Sequence, residues 1–280
     1  MRLDAHQHFW HYVPEHYPWI TDRLGALKRD YMPADLEPHL RALAFDGTIA
    51  VQARQDVGDT EFLLGLAERH PMIKGVVGWV DLCSSDVGRQ LDTYAKHAAL
   101  VGVRHIVHDE PDDDFMLRQD FRAGIARLRE YGLTYDLLLF PQHLSRAVSL
   151  VDEFPEQAFV LDHIAKPPIR DHRMSPWEDD LRRLAERPNV VCKLSGLVTE
   201  ARWDAWQPAD IVPYLDVVVQ AFGTSRLLIG SDWPVCTLAA DYAGTMGLVI
   251  DYVNARHGAA ADAIFGGNAA TFYGIDVAPP

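Results

Sequence analysis

The sequence is poor in cysteine: Cys83, Cys192 and Cys236 are the only three in 280 residues, far apart and without a CxxC pair. That excludes a disulfide framework and a cysteine zinc site. Cations are also scarce, with Lys+Arg 26 against Asp+Glu 40 and a formal net charge of −14. A chain this acidic, with no basic cluster, is not built for nucleic acid or an anionic membrane. No apolar run approaches the roughly 20 residues of a membrane-spanning helix. The opening MRLDAHQHFW has no basic stretch ahead of an apolar one, so no signal peptide is expected. Neither GxGxxG nor GxxxxGK[ST] follows the first apolar run, which removes the usual mark of a nucleotide-binding open sheet. These absences leave a soluble protein of a reducing compartment, expected in the cytoplasm.

What is present is ordinary globular material, 48% hydrophobic and 24% charged. Short apolar runs at 3–9, 47–53, 73–82, 102–108, 134–140, 158–164, 189–195 and 226–232 lack clean alternation, as strands buried on both faces should. Between them lie stretches of helical period at 59–70, 87–100, 114–131, 144–154, 176–187 and 209–222, and two more close the chain at 242–256 and 259–272. Glycine or proline follows many of them, where helices should stop. Eight strands alternating with helices predict a (β/α)8 TIM barrel formed by one domain, 1–280. The irregular region 10–38, rich in Pro, Tyr and Trp, predicts an insertion near the catalytic face. No feature specifies an oligomeric state.

Barrel enzymes keep their chemistry at the C-terminal ends of the strands, and polar residues cluster there. His6 and His8 flank Gln7 at the end of the first run, and residues two apart on a strand share a side. Asp162-His163 ends the sixth run and Asp232, in Ile229-Gly230-Ser231-Asp232-Trp233-Pro234, ends the eighth. Arg104 and His105 interrupt the fourth run; a buried arginine needs an anion or a hydroxyl-rich partner. Gln52 and Lys193 are further polar groups inside apolar runs, and Lys166 follows the sixth. Several such interruptions on one rim predict a site.

HxH, a sixth-strand His and an eighth-strand Asp together resemble the amidohydrolase superfamily, and the likeness runs from DAHQHFW through LDH and GSDWP to AIFGGNAATFYG. DAHQHFW, YPWI, GVRH and GSDWPV are closest to its sugar-lactonase branch, the L-fuconolactonase- and L-rhamnonolactonase-like enzymes. The resemblance implies hydrolysis of a neutral sugar lactone to the aldonic acid. Asp232 is then the general base, and His6, His8 and His163 polarise the carbonyl. Gln52, Arg104, His105 and Lys166 are candidates for binding hydroxyls, and Trp19 or Trp233 for stacking on the sugar. Arg104, with Arg54 in reserve, supplies too few cations for a dicarboxylate. The family likeness favours 6-deoxy and pentonic lactones such as L-fuconolactone, within L-fucose or related carbohydrate catabolism.

The fourth strand offers Arg104 and the fifth reads YDLLLF, with His143 arriving only after Pro141, so a binuclear metal centre is not expected. His6, His8, His163 and Asp232 could still hold one zinc, three nitrogens and an oxygen being a suitable set. The resemblance implies that lactonases of this branch work without a divalent ion. Two other readings stay open. One is a zinc-dependent decarboxylase or other hydrolase of the superfamily. The other is a barrel that binds a sugar acid without turnover, for which the Asp232 carboxylate would be superfluous.

Overall fold

The computed structural model describes residues 1–276. Eight parallel strands among them form one sheet in sequential order: β1 (Leu3–Gln7), β2 (Gly47–Val51), β3 (Ile73–Gly78), β4 (Leu100–His105), β5 (Thr134–Leu137), β6 (Phe159–Leu161), β7 (Val190–Leu194) and β8 (Leu227–Ile229). The helices follow as α1 (Pro33–Ala42), α2 (Val57–Arg69), α3 (Val87–Tyr94), α4 (Gln119–Leu128), α5 (Leu144–Glu153), α6 (Trp177–Ala185), α7 (Leu197–Glu200), α8 (Pro208–Phe222), α9 (Tyr242–His257) and α10 (Asn268–Phe272). This is the expected (β/α)8 barrel in a single domain. Its outer layer follows from helical period: α5 buries Leu144, Ala147, Leu150 and Val151, and α6 buries Trp177, Leu181, Leu184 and Ala185. Among the described residues no helix is long and apolar enough to cross a membrane.

The seam between β8 and β1 is drawn together by residues just beyond β8. Asp232 N donates to His6 O at 2.8 Å and His8 N to Trp233 O at 2.7 Å. Asp4 reinforces it: its buried carboxylate accepts from Ser231 N (2.9 Å), Ser231 Oγ (2.6 Å) and the Tyr242 hydroxyl (3.2 Å). Closing the barrel therefore sets Asp232 beside the two histidines of β1.

Three expectations shift. The strands stop short of the apolar runs, because the chain turns out of the ladder to present side chains at the barrel mouth. The helix expected at 259–272 is broken at a π-turn, Ala263–Gly267, and only α10 continues. Gly266 is extended there and packs on the start of β1, where a Cβ would lie 2.3 Å from Met1 O. The irregular segment ends at Met32 rather than 38, since Pro33 opens α1; proline fits the first turn, where its missing N–H costs nothing. Within that segment Trp10 and Tyr31 pair through reciprocal backbone bonds of 3.0 and 2.9 Å.

Candidate active site

His6 stands near the end of β1, His8 just beyond it, and the other site residues on strained turns after β6 and β8. After β6, His163, Ile164, Ala165 and Lys166 take φ of 52°, 48°, 60° and 48°, four successive left-handed residues without a glycine. Such a backbone costs on the order of 1 kcal/mol per residue, so its surroundings must over-determine it. The buried Trp177 Nε1 donates to Ile164 O at 2.7 Å, and Lys166 N to His163 O at 2.8 Å. Asp232 is left-handed too, with φ 56°. Glycine makes room for the rings: a Cβ on Gly196 would lie 2.6 Å from His163 Nδ1, and one on Gly230 would lie 2.8 Å from His6 Cβ.

These turns bring His6, His8, His163 and Asp232 together, all buried. Asp232 Oδ1 lies 3.3 Å from His8 Nε2 and 3.8 Å from both His6 Nε2 and His163 Nε2. Burial pushes the Asp232 carboxyl up, but His163, His8 and Lys166 outweigh it and the net shift is downward, so Asp232 is a carboxylate. Burial lowers His6 and His163 well below the usual imidazole value, against the pull of Asp162 on the first and Asp232 on the second. Both rings are neutral. His163 Nδ1 meets Ser195 Oγ at 2.9 Å.

Beneath this cluster the barrel is filled with charge. Arg104 Nη1 donates to Asp162 Oδ2 at 3.0 Å and points at His6 Nε2 at 3.3 Å, while Nη2 donates to Gln52 O. The other ring nitrogen, Nδ1, lies 3.3 Å from both Asp162 Oδ1 and Lys193 Nζ, so the charged groups grip His6 at both nitrogens. Lys193 Nζ, fully buried, bridges Asp136 and Asp162. Burial raises Asp162, but Lys193, His6 and Arg104 reverse the shift and hold it well below the carboxylate range. Asp136, and Asp162 as a partner of His6, were missed as site residues; Asp136 interrupts YDLLLF just as Lys193 interrupts its own strand.

In front lies a cavity of about 270 Å³. His8, His163, Asp232, Arg104 and Lys166 line it, with Trp19 on the apolar side, its Nε1 donating to Ala53 O at 3.0 Å. Ile106, Leu138 and Val235 extend the apolar wall. Lys166 Nζ is held by Glu200 Oε1 at 3.1 Å. Four candidates do not line it, and of these His6 lies behind the wall, against Arg104 and Asp162. Gln52 turns its amide to Arg104 O at 3.3 Å. His105 is taken up by Glu110 at 2.7 Å and stacked on Phe115. Trp233 packs edge-on against Phe9 and Tyr31. Arg54 is held by Asp56 and Asp59, and His143 by Asp113. His108, absent from the candidates, lines the cavity.

The donors suit a metal. His6, His8 and Asp232 converge as one possible set, and His6, His163 and Asp162 as another. His8 Nδ1 donates to Val51 O at 2.8 Å, so its Nε2 faces the Asp232 carboxylate at 3.3 Å with either a bound proton or a lone pair. A proton there satisfies the contact, and so does a divalent ion, so the residues fit one. The second set is less open, because Arg104 and Lys193 already neutralise Asp162.

Known proteins share this arrangement of fold and chain. One relative is an L-fucono-1,5-lactonase of Burkholderia multivorans, 41% identical over 98% of this chain and 96% of its own. A second, of Burkholderia ambifaria and of the same name, is 38% identical over the same shares. The crystal structure of a Burkholderia multivorans amidohydrolase with bound zinc has a TM-score of 0.95 at 40% identity, covering 99% of this chain and 100% of that one. The amidohydrolase family profile matches residues 3–275, and the chain belongs to that family.

Proposed function

We propose that this protein is a lactone hydrolase that opens a neutral sugar lactone, L-fuconolactone-like, to its aldonic acid. The observation that carries the reading is Asp232: a buried carboxylate, kept ionised, among three imidazoles at the wall of a cavity sized for one sugar ring. The likeness to L-fucono-1,5-lactonases over almost the whole chain supports it.

A water in the cavity loses a proton to Asp232 and its oxygen attacks the lactone carbonyl. Negative charge gathers on the carbonyl oxygen, where His163 Nε2 donates and Arg104 and Lys166 add positive field, while His8 flanks Asp232. The ring C–O bond then breaks, and the proton held by Asp232 passes to the leaving ring oxygen. His6 lies behind the cavity wall and acts by holding Arg104 and Asp162 in place. A divalent ion on His6, His8, His163 and Asp232 would polarise the carbonyl as a Lewis acid. We propose that turnover does not require one, because Arg104 already presents a fixed positive charge 3.3 Å from His6 Nε2. The cations of the cavity are both spent on carboxylates, Asp162 and Glu200, which favours an uncharged substrate.

Acid release from a panel of sugar lactones, followed with a pH indicator before and after chelation, tests this reading. Turnover that survives chelation is expected. In Asp232→Asn, kcat should fall by about 10²–10⁴ with the fold intact. More than a tenth of the wild-type rate would remove Asp232 from the role of base.

A further inference from the structure

Lactone opening leaves two ionisable residues of the cavity wall, His108 and Asp109, without work. After β4 a turn, Val107–Asp109, places His108 and Asp109 in the cavity wall. His108 is fixed there by stacking on Phe140, with ring centroids 4.6 Å apart and planes 17° apart. Its Nε2 lies 3.4 Å from Asp109 Oδ1, and its buried Nδ1 has no hydrogen-bond partner. An unsatisfied buried nitrogen is costly, and a ligand that supplies the missing bond recovers that cost on binding.

The ring's chemistry narrows the ligand. Burial, with Lys166, Arg104 and His143 adding to it, pushes the His108 pKa down to about 3, so the imidazole carries one proton and one lone pair. Asp109 is half-exposed and acceptor-only when ionised. An anionic group is ill suited here, because the nearby cations already serve Asp162 and Glu200 and Asp109 would repel it. A hydroxyl both donates and accepts, so it can answer the imidazole at Nδ1, and its neighbour on the sugar can donate to Asp109, whose Oδ1 lies 3.4 Å from the ring's Nε2.

We propose that His108 and Asp109 form the hydroxyl-reading edge of the cavity, docking a vicinal pair of sugar hydroxyls and setting the preference for polyhydroxylated over bare lactones. This rests on the lactone-hydrolase reading. His108→Phe keeps the stack on Phe140 and removes both nitrogens. The measurement is kcat/KM for L-fuconolactone and for δ-valerolactone, in the wild type, His108→Phe and His108→Gln, each first checked by thermal melt. The ratio of the two should fall about 10- to 100-fold in His108→Phe, mostly through KM for the sugar lactone, and recover in part in His108→Gln, which keeps a donor and an acceptor. An unchanged ratio in a folded, active His108→Phe would overturn the inference alone, as would equal losses on both lactones. Failure of the wild type to turn over either lactone would bring down the hydrolase reading and this inference with it.

Discussion

The barrel has two interiors. One is apolar: Leu3, Ile49, Val51, Val77, Val160 and Leu228 of the strands pack with Ala269, Ala270 and Tyr273 at the end of the chain. The other is charged: Arg104, Asp136, Asp162 and Lys193 fill the space beneath His6 and the cavity, every one of them at most 3% exposed. The first gains stability in proportion to the area it takes from water. The second must recover the desolvation of four charges through mutual pairing, and buried pairs seldom do better than break even against apolar isosteres. The difference teaches what the charged half is for. Lys193 and Arg104 hold Asp162 from two sides, Asp162, Lys193 and Arg104 together hold His6, and the ring 3.8 Å from Asp232 is thereby fixed in place.

The comparison can be broken most sharply at Lys193. Lys193→Met strands Asp136 and Asp162 without their shared cation and should cost about 3–5 kcal/mol in denaturant unfolding. The double variant Lys193→Met/Asp136→Leu should regain a substantial part of that loss while lactone turnover stays low. Recovery of activity along with stability would show the pair to be dispensable. In the apolar half, Ile49→Ala should cost about 2–4 kcal/mol through the cavity it leaves. Its KM, measured well below the melting point, should stay within about a factor of two. A large change in KM would mean that the two interiors are coupled.

The division also explains what the sequence made legible. All eight strands and most helices could be read from apolar runs and period, because burial on both faces of a parallel strand leaves long stretches of Val, Ile and Leu. The ends could not, since His8, His163 and Asp232 lie on turns where apolar pattern stops and backbone conformation takes over. HxH, LDH and GSDWP marked the cluster because polar groups at strand ends are conspicuous. Side-chain direction after a strand is invisible in sequence, so Gln52, His105 and Trp233 looked like cavity residues while His108, three positions beyond His105, did not. Asp4 reads as part of a strand opening, and its part in holding β1 to the turn after β8 emerges only when the barrel closes.

A smaller effect separates the cavity wall from both interiors. Burial, then Lys166, Arg104 and His143, keep folded His108 neutral down to about pH 3, whereas the unfolded chain takes up that proton near its ordinary 6.5. The unfolded state therefore binds more protons through this window, and stability falls as pH drops below 6.5. By pH 5 the His108 contribution to that loss should be about 2 kcal/mol. His108→Phe lacks the titrating group, so melts at pH 8 and pH 5 should show the variant losing less stability than the wild type. Equal losses would place the acid sensitivity elsewhere.

The smallest expected effect sits on the boundary between the two interiors. Tyr273 belongs to the apolar cluster by its ring, yet its hydroxyl donates to Asp136 Oδ2 at 3.2 Å and its face lies 5.7 Å from Lys193 Nζ. Tyr273→Phe removes one donor from a carboxylate that Lys193 still holds, and keeps the ring. Unfolding should become easier by about 1 kcal/mol, with kcat nearly unchanged, because Asp162, Lys193 and Arg104, rather than Asp136, face His6. A marked fall in kcat would mean instead that the charged half transmits strain from Asp136 through Lys193 to His6, and that the end of the chain helps to set the active site.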